Sequence, residues 1–283
     1  MFQFFFSHTV TNQLKNDPHL LYYCDSGAAS TFMPRTMHTH NDRLEILYIA
    51  SGSGYYFIGD RKYIAHKGDI LVINPDTLHD ESEEPNSKMK VYCCGVSGVS
   101  LLGLPANHLI PTDASPVIHT GALEPHISNI FTCMYEQVIK HKEQAVDVCT
   151  PLLIAMIALI QQIPVATDTP VVTKNQFDLA DRIKLCLDEY YHENRSLDSM
   201  AESMRMSVSY LAHAFKDTTG YPPGQYMIRR RIGEAQTLLI TTKQPVTQIS
   251  TMVGYDNTNY FSTLFSKVVG LAPKEYRNYW CGT

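Results

Sequence analysis

Two sets of four side chains recur in the last part of the 283-residue chain: Val208, Ser209, Ala212 and His213, then, fifty residues on, Thr258, Asn259, Ser262 and Thr263. Each set follows the spacing i, i+1, i+4, i+5, which lies on one face of an α-helix. The groups are small or hydrogen-bonding. On an outward helix face they can reach base edges in a DNA major groove. The plainer alternative is a solvated face of an all-helical domain.

The elements that must position these sets repeat as well. Ser207/Asn257, Leu211/Phe261, Phe215/Phe265, Gly220/Gly270, Pro223/Pro273 and Tyr226/Tyr276 pair at an offset of 50, whereas Leu197/Val246, Met200/Ile249 and Ala201/Ser250 pair at 49. A one-residue slip between two short helices is what two copies of one helix-turn-helix unit produce. Leu197, Met200, Ala201 and Met204 form an apolar stripe, Ser207 is a natural N-cap, and Leu211 and Phe215 point inward on the next helix. In the second copy Pro245 opens a helix and Val246, Ile249 and Val253 form its stripe. Gly254 makes the turn, Asp256 or Asn257 caps, and Phe261, Leu264 and Phe265 pack. The expected units span about 197–217 and 246–267.

This segment resembles the AraC/XylS family of transcription regulators over roughly residues 180–279. The resemblance is carried by Ile249 to Phe265 (ISTMVGYDNTNYFSTLF), by Gly270-Leu-Ala-Pro273 through Tyr276-Arg277, and by Arg231-Ile-Gly-Glu-Ala-Gln-Thr-Leu-Leu239 as the joining helix. It implies two units in adjacent major grooves on one face of double-stranded DNA. It also implies control by a small-molecule effector such as a sugar or other metabolite, a homodimer, contact with RNA polymerase, and activation as the commoner outcome. Arg205, Lys216, Arg229, Arg230 and Lys267 are the candidate contacts to the DNA backbone, and Arg231 could equally brace the two units internally. Two departures stand out: Arg205 occupies the family's turn-glycine position and Ser250 its alanine position. The first reading face, built around Ser209 and Ala212, has short side chains, so the second is expected to carry more of the specificity.

The front of the chain has a different composition. Residues 1–173 hold 10 basic and 17 acidic side chains and ten of the twelve histidines, whereas residues 174–283 hold 13 basic and 11 acidic. Short runs at Glu45–Ala50, Tyr55–Ile58, Lys62–Ala65, Ile70–Ile73 and Met89–Val96, separated by Gly, Asp and Asn, predict an antiparallel sandwich or barrel. His38-Thr-His40-Asn-Asp-Arg-Leu-Glu45 resembles the first cupin motif, and Gly68 to His79 approximates the second, with Pro75-Asp-Thr77 in place of its Pro-x-Gly turn. That resemblance implies that His38, His40, Glu45 and His79 converge inside a small barrel. In cupin enzymes such residues hold a divalent metal, and imidazoles with a carboxylate suit Fe, Mn, Zn or Ni. In regulators they line a pocket for an organic effector. The expectation is the effector pocket with no cofactor required; a metal site in an enzyme or a metal-responsive regulator is the alternative. His66 and His108 are expected at the surface.

Ile127, Ile130, Phe131, Met134 and Val138, then Pro151 to Ile163, predict two helices suited to dimerisation, with packing onto the barrel as the alternative. The whole is an α+β multidomain chain: a cupin-like antiparallel β-barrel sensor over 1–122, a helical dimerisation segment over 123–165, a linker over 166–174, and an all-α DNA-binding module of two helix-turn-helix units over 175–283. Seven scattered cysteines without a CxxC pair argue against a zinc finger or a disulfide framework, and the front half lacks the reactive cysteine cluster of a DNA-repair methyltransferase. The apolar N-terminus lacks a basic flank and no uncharged run would span a bilayer, so the expectation is a soluble cytoplasmic protein. An enzyme would not need a linker and two DNA-reading units, so no enzyme activity is expected.

Overall fold

The computed structural model describes residues 14–26, 36–59, 61–80, 89–141, 143–167, 183–184, 186–188, 191–193 and 196–281. Most of the expected linker (168–174) and the start of the expected DNA module (175–182) lie outside the described residues.

Among the described residues eight strands form the front: β1 (His19–Ser26), β2 (Leu44–Ser51), β3 (Ser53–Ile58), β4 (Arg61–His66), β5 (Asp69–Ile73), β6 (His79–Asp80), β7 (Lys90–Ser97) and β8 (Val117–His119). They make a five-stranded sheet in the order β1-β7-β2-β5-β8 and a three-stranded sheet β4-β3-β6, with every named pair antiparallel. The five predicted runs coincide with β2, β3, β4, β5 and β7. Strands β6 and β8 are too short to show a period of two, and β1 (HLLYYCDS) alternates poorly.

β2 shows how the sheet divides two cores. Leu47 and Ile49 point into the barrel with Tyr56, Ile58, Leu71 and Ile73. Leu44, Ile46 and Tyr48 point outward and are covered by helix α1 (Glu124–Lys140) and helix α2 (Ala145–Ile160) through Ile127, Phe131, Leu153, Met156 and Ile160. Tyr48 stacks on Phe131 at 5.3 Å and its hydroxyl donates to Glu124 at 2.6 Å. The apolar faces that suggested dimerisation therefore close over the sheet, because a sheet buried on both faces needs a second layer. Ile139, Val146 and Val148 remain exposed on the outer side of these helices.

The C-terminal module comprises α3 (Leu197–Ser203), α4 (Val208–Thr219), α5 (Pro223–Thr241), α6 (Val246–Met252), α7 (Thr258–Val269) and α8 (Pro273–Cys281). Ser196 and Ser207 accept from the backbone N–H of Ser199 and Tyr210, and Asn257, not Asp256, caps α7 by accepting from Asn259 and Tyr260. The one-residue slip is visible in the turns: four residues separate α3 from α4, and five separate α6 from α7. Matching hydrogen bonds, Met206 to Ala201 and Tyr255 to Ser250, place the extra residue after the tight part of the turn. At matched positions of those turns Gly254 has φ 88° and Arg205 has φ 55°. An arginine there bears left-handed strain that glycine avoids.

The barrel and the DNA module touch along α5. Gly233 lies so close to the segment that leads into β2 that a Cβ would strike the Met37 carbonyl oxygen. Met37 itself is buried among Met200, Leu211 and Phe215 of the first unit and Tyr226 of α5. The Thr36 N–H and hydroxyl donate to buried Gln236 at 3.0 and 3.1 Å, and Arg229 forms a two-point ion pair with Asp80 of β6 at 2.6 and 2.8 Å.

Candidate DNA interface and barrel site

The helix-turn-helix cores hold the reading faces outward. Ser209, His213, Asn259 and Thr263 are exposed, and Ala212 and Ser262 half-buried. Val208 packs partly against the first unit's core. The Thr258 hydroxyl lies 3.0 Å from that of buried Ser250, so it is already engaged within the unit. Ser250 fits its helix contact because its hydroxyl also donates to the Thr247 carbonyl. Tyr210 and Tyr260, which stand outside the expected reading sets, occupy matching positions in the repeat and are 59% and 57% exposed beside Ser209 and Asn259. Their pairing at offset 50 was available in the sequence, but an aromatic within a helical period reads as core. The 19-residue joining helix α5, about 28 Å long at 1.5 Å per residue, separates the two units.

Of the expected DNA-backbone contacts, Arg205, Lys216 and Lys267 are exposed. Arg229 and Arg230 need correction in this conformation. The Arg229 guanidinium is held by Asp80, whose side chain is fully buried. Arg230 is 6% exposed, lies 4.5 Å over the Tyr191 ring, and pairs with Glu234 at 3.2 Å and Asp188 at 3.8 Å. A run of three arginines on a helix cannot face one way, so two turn inward toward carboxylates. Arg231 takes its bracing role: it donates to the carbonyls of Tyr191, Glu193 and Gly254, tying the first unit's lead-in to the second unit's turn.

In the barrel, His38, His40, Glu45 and His79 do converge. All four are buried, and one ligand atom from each lies within 4.8 Å of the others. Glu45 points inward because it shares the face of Leu47 and Ile49. His38 and His79 are brought together by reciprocal backbone hydrogen bonds of 3.0 Å. Each imidazole turns Nδ1 to a backbone carbonyl: His38 to Thr36 at 2.9 Å, His40 to Arg43 at 3.1 Å and His79 to Thr77 at 2.9 Å. A carbonyl only accepts, so Nδ1 carries the proton in all three rings. Nε2 of His40 and His79 then faces Glu45 at 3.3 and 3.1 Å.

A carboxylate facing the lone pairs of two imidazoles is repelled unless a second ring proton or a cation stands between them. Burial pushes the Glu45 carboxyl up, but hydrogen bonds and charge from His40 and His79 outweigh it and hold the group well below the usual carboxylate range. The Tyr22 hydroxyl also donates to Glu45. It reaches across β7 only because residue 95 is glycine, where a Cβ would fall 2.2 Å from the Tyr22 ring. Three imidazoles with Nδ1 anchored, and one ionised carboxylate, are a donor set suited to Fe, Mn, Co, Ni or Zn. Of the four, His40 also lines a cavity of about 250 Å³. That cavity lies between the barrel (Tyr22, Arg43) and the DNA module (Thr237, Ile240, Trp280), not inside the barrel. His66 is exposed and His108 half-buried.

Comparison with known proteins agrees with both halves. A family model described as an AraC-like ligand binding domain matches residues 21–148, and one described as a helix-turn-helix domain matches residues 200–279. The chain is 27% identical to the HTH-type transcriptional regulator YdiP of Escherichia coli (strain K12), over 85% of this chain and 80% of the relative. It is 24% identical to the HTH-type transcriptional activator RhaR of Enterobacter sp. (strain 638), over 85% and 86%. Among solved structures, the C-terminal domain of the response regulator yesN from Fusobacterium nucleatum is 32% identical, covering 35% of this chain and 98% of that one, with a TM-score of 0.35. With the paired reading units behind a ligand-binding barrel, the chain belongs to the AraC/XylS family of DNA-binding transcription regulators.

Proposed function

We propose that the chain is a transcription activator acting as a cytoplasmic homodimer, in which a small molecule bound by the front domain changes how the two reading units are presented to DNA and RNA polymerase. The observation that carries this reading is the contact between barrel and joining helix. Arg229–Asp80 and Gln236–Thr36 link the domain that would sense to the one that would read. The seam cavity lined by His40, Tyr22, Ile240 and Trp280 lets one ligand touch both domains. Activation is supported by the relative named as an activator, and a regulator is favoured over an enzyme because the DNA-binding module takes more than a third of the chain. Among the described residues no helix is long and apolar enough to cross a membrane. Selecting binding sites from random DNA with the purified chain tests the proposal. A directly repeated pair of half-sites about one helical turn apart is expected, and no enriched sequence would count against it.

A second reading is favoured by the anchored Nδ1 atoms: His38, His40, Glu45 and His79 take a divalent cation. Glu45 and the Nε2 atoms would hold it, and the carbonyls of Thr36, Arg43 and Thr77 would keep the rings in place.

A further inference from the structure

The segments that carry His38 and His79 are also the segments that grip the DNA module. Thr36 accepts from the His38 ring through its carbonyl, and its N–H and hydroxyl donate to Gln236 of α5. Met37, between them, fills the first unit's core and abuts Gly233. On the other side of the cluster, Asp80 follows His79 directly and holds Arg229. Thus each of two donors is one or two residues from a contact that pins the joining helix. The paired backbone hydrogen bonds of His38 and His79 link the two sides.

Resting on the cation reading of the site, we propose that a divalent transition-metal ion held by His38, His40, Glu45 and His79 sets how firmly the barrel grips the joining helix and thereby controls DNA binding. A metal with bonds of about 2.1 Å keeps its donors roughly 3–4 Å apart. The 4.8 Å spread of the four donors therefore contracts slightly on binding, drawing residues 36–40, β2 and β6 together. That contraction fixes the His38 ring, and with it the Thr36 carbonyl, in the place where Thr36 meets Gln236. It also fixes the start of β6, where Asp80 meets Arg229. Without the ion the four donors keep their wider spacing, and both contacts are held less firmly. An ion can shift the docked arrangement only by its difference in affinity for the docked and loosened forms.

Trp280, the single tryptophan, lines the seam cavity with His40 and reports on the interface. The full chain, stripped of metal, is titrated with Zn(II) and with Ni(II). Bound ion, Trp280 emission and affinity for a selected DNA site are read together. One ion per chain is expected, with a shift in Trp280 emission and at least a fivefold change in DNA affinity. His79→Ala and Glu45→Gln should each lose the ion, whereas Arg229→Ala should keep it and lose the metal-dependent change in DNA affinity. If His79→Ala misfolds, as judged by circular dichroism, the wild-type titration and Arg229→Ala still decide. Failure of the wild type to bind an ion overturns both the cation reading and the coupling. An ion that binds without moving Trp280 emission or DNA affinity overturns the coupling and leaves the cation site standing. If no DNA binds in either state, the regulator reading fails, and Trp280 emission alone still decides the coupling.

Discussion

At the scale of single residues, the two faces proposed to read DNA are not equivalent. Asn259 is exposed at the start of α7 and can pair with a base edge, whereas its counterpart Ser209 is shorter. Asn259→Ala should relax preference at one or two base pairs at a cost of about 1–3 kcal/mol each, measured as binding to a panel of single-base variants. Uniform weakening on every sequence would contradict that role. Arg205 couples stability to binding differently. Its φ of 55° is strained for a side chain, so Arg205→Gly should raise stability by about 1 kcal/mol in thermal unfolding. The same change should lower the slope of log affinity against log salt by about 0.9, if its exposed charge meets a phosphate. An unchanged slope would show that Arg205 meets none.

At the scale of elements, α5 is both spacer and docking surface. Gly233 and Gly224 lie on this one helix, yet they should respond oppositely to the same substitution. At Gly224 an added Cβ meets nothing within 4 Å, and at Gly233 it strikes the Met37 carbonyl. Gly233→Ala should therefore push α5 off the barrel, shifting Trp280 emission, while circular dichroism shows the helices intact. Gly224→Ala should leave emission unchanged. Equal behaviour of the two variants would mean that the contact at residue 233 does not hold the domains together. The helices α1 and α2 teach a related lesson. Their periodicity is legible, but whether an apolar stripe faces a partner chain or the sheet depends on which strand face lies beneath it.

At the scale of the whole molecule, the barrel and the first reading unit share a core through Met37, while the second unit has its own core around Ile249, Phe261 and Phe265. The Asp80–Arg229 pair ties that arrangement together, and its carboxylate is fully buried, so removal of either partner is costly. Arg229→Ala leaves a buried charge without its arginine and should cost about 3–5 kcal/mol in denaturant unfolding. A loss under 1 kcal/mol would mean that the pair opens in solution.

The sequence by itself determined the repeat, and with it the two helix-turn-helix units, the Ser207 cap and the outward faces, whereas the choice of Asn257 over Asp256 as the second cap came from the structure. The repeat, the first cap and the faces depend on local spacing: 3.6-residue periodicity, an N-cap at Ser207, and a one-residue difference between turns. It also singled out His38, His40, Glu45 and His79, whose residue types and motif spacing survive in the primary structure. Only the tertiary structure decided what joins these parts. Arg229 looks like any exposed arginine until Asp80, 149 residues earlier, is placed beside it. Gly233 reads as a weak helix residue until the Met37 carbonyl lies against it. The tautomers of the three histidines likewise depend on carbonyls that the turns bring to Nδ1. Contacts of this kind join residues far apart in the chain, where no local period or propensity records the pairing, and only packing brings them together.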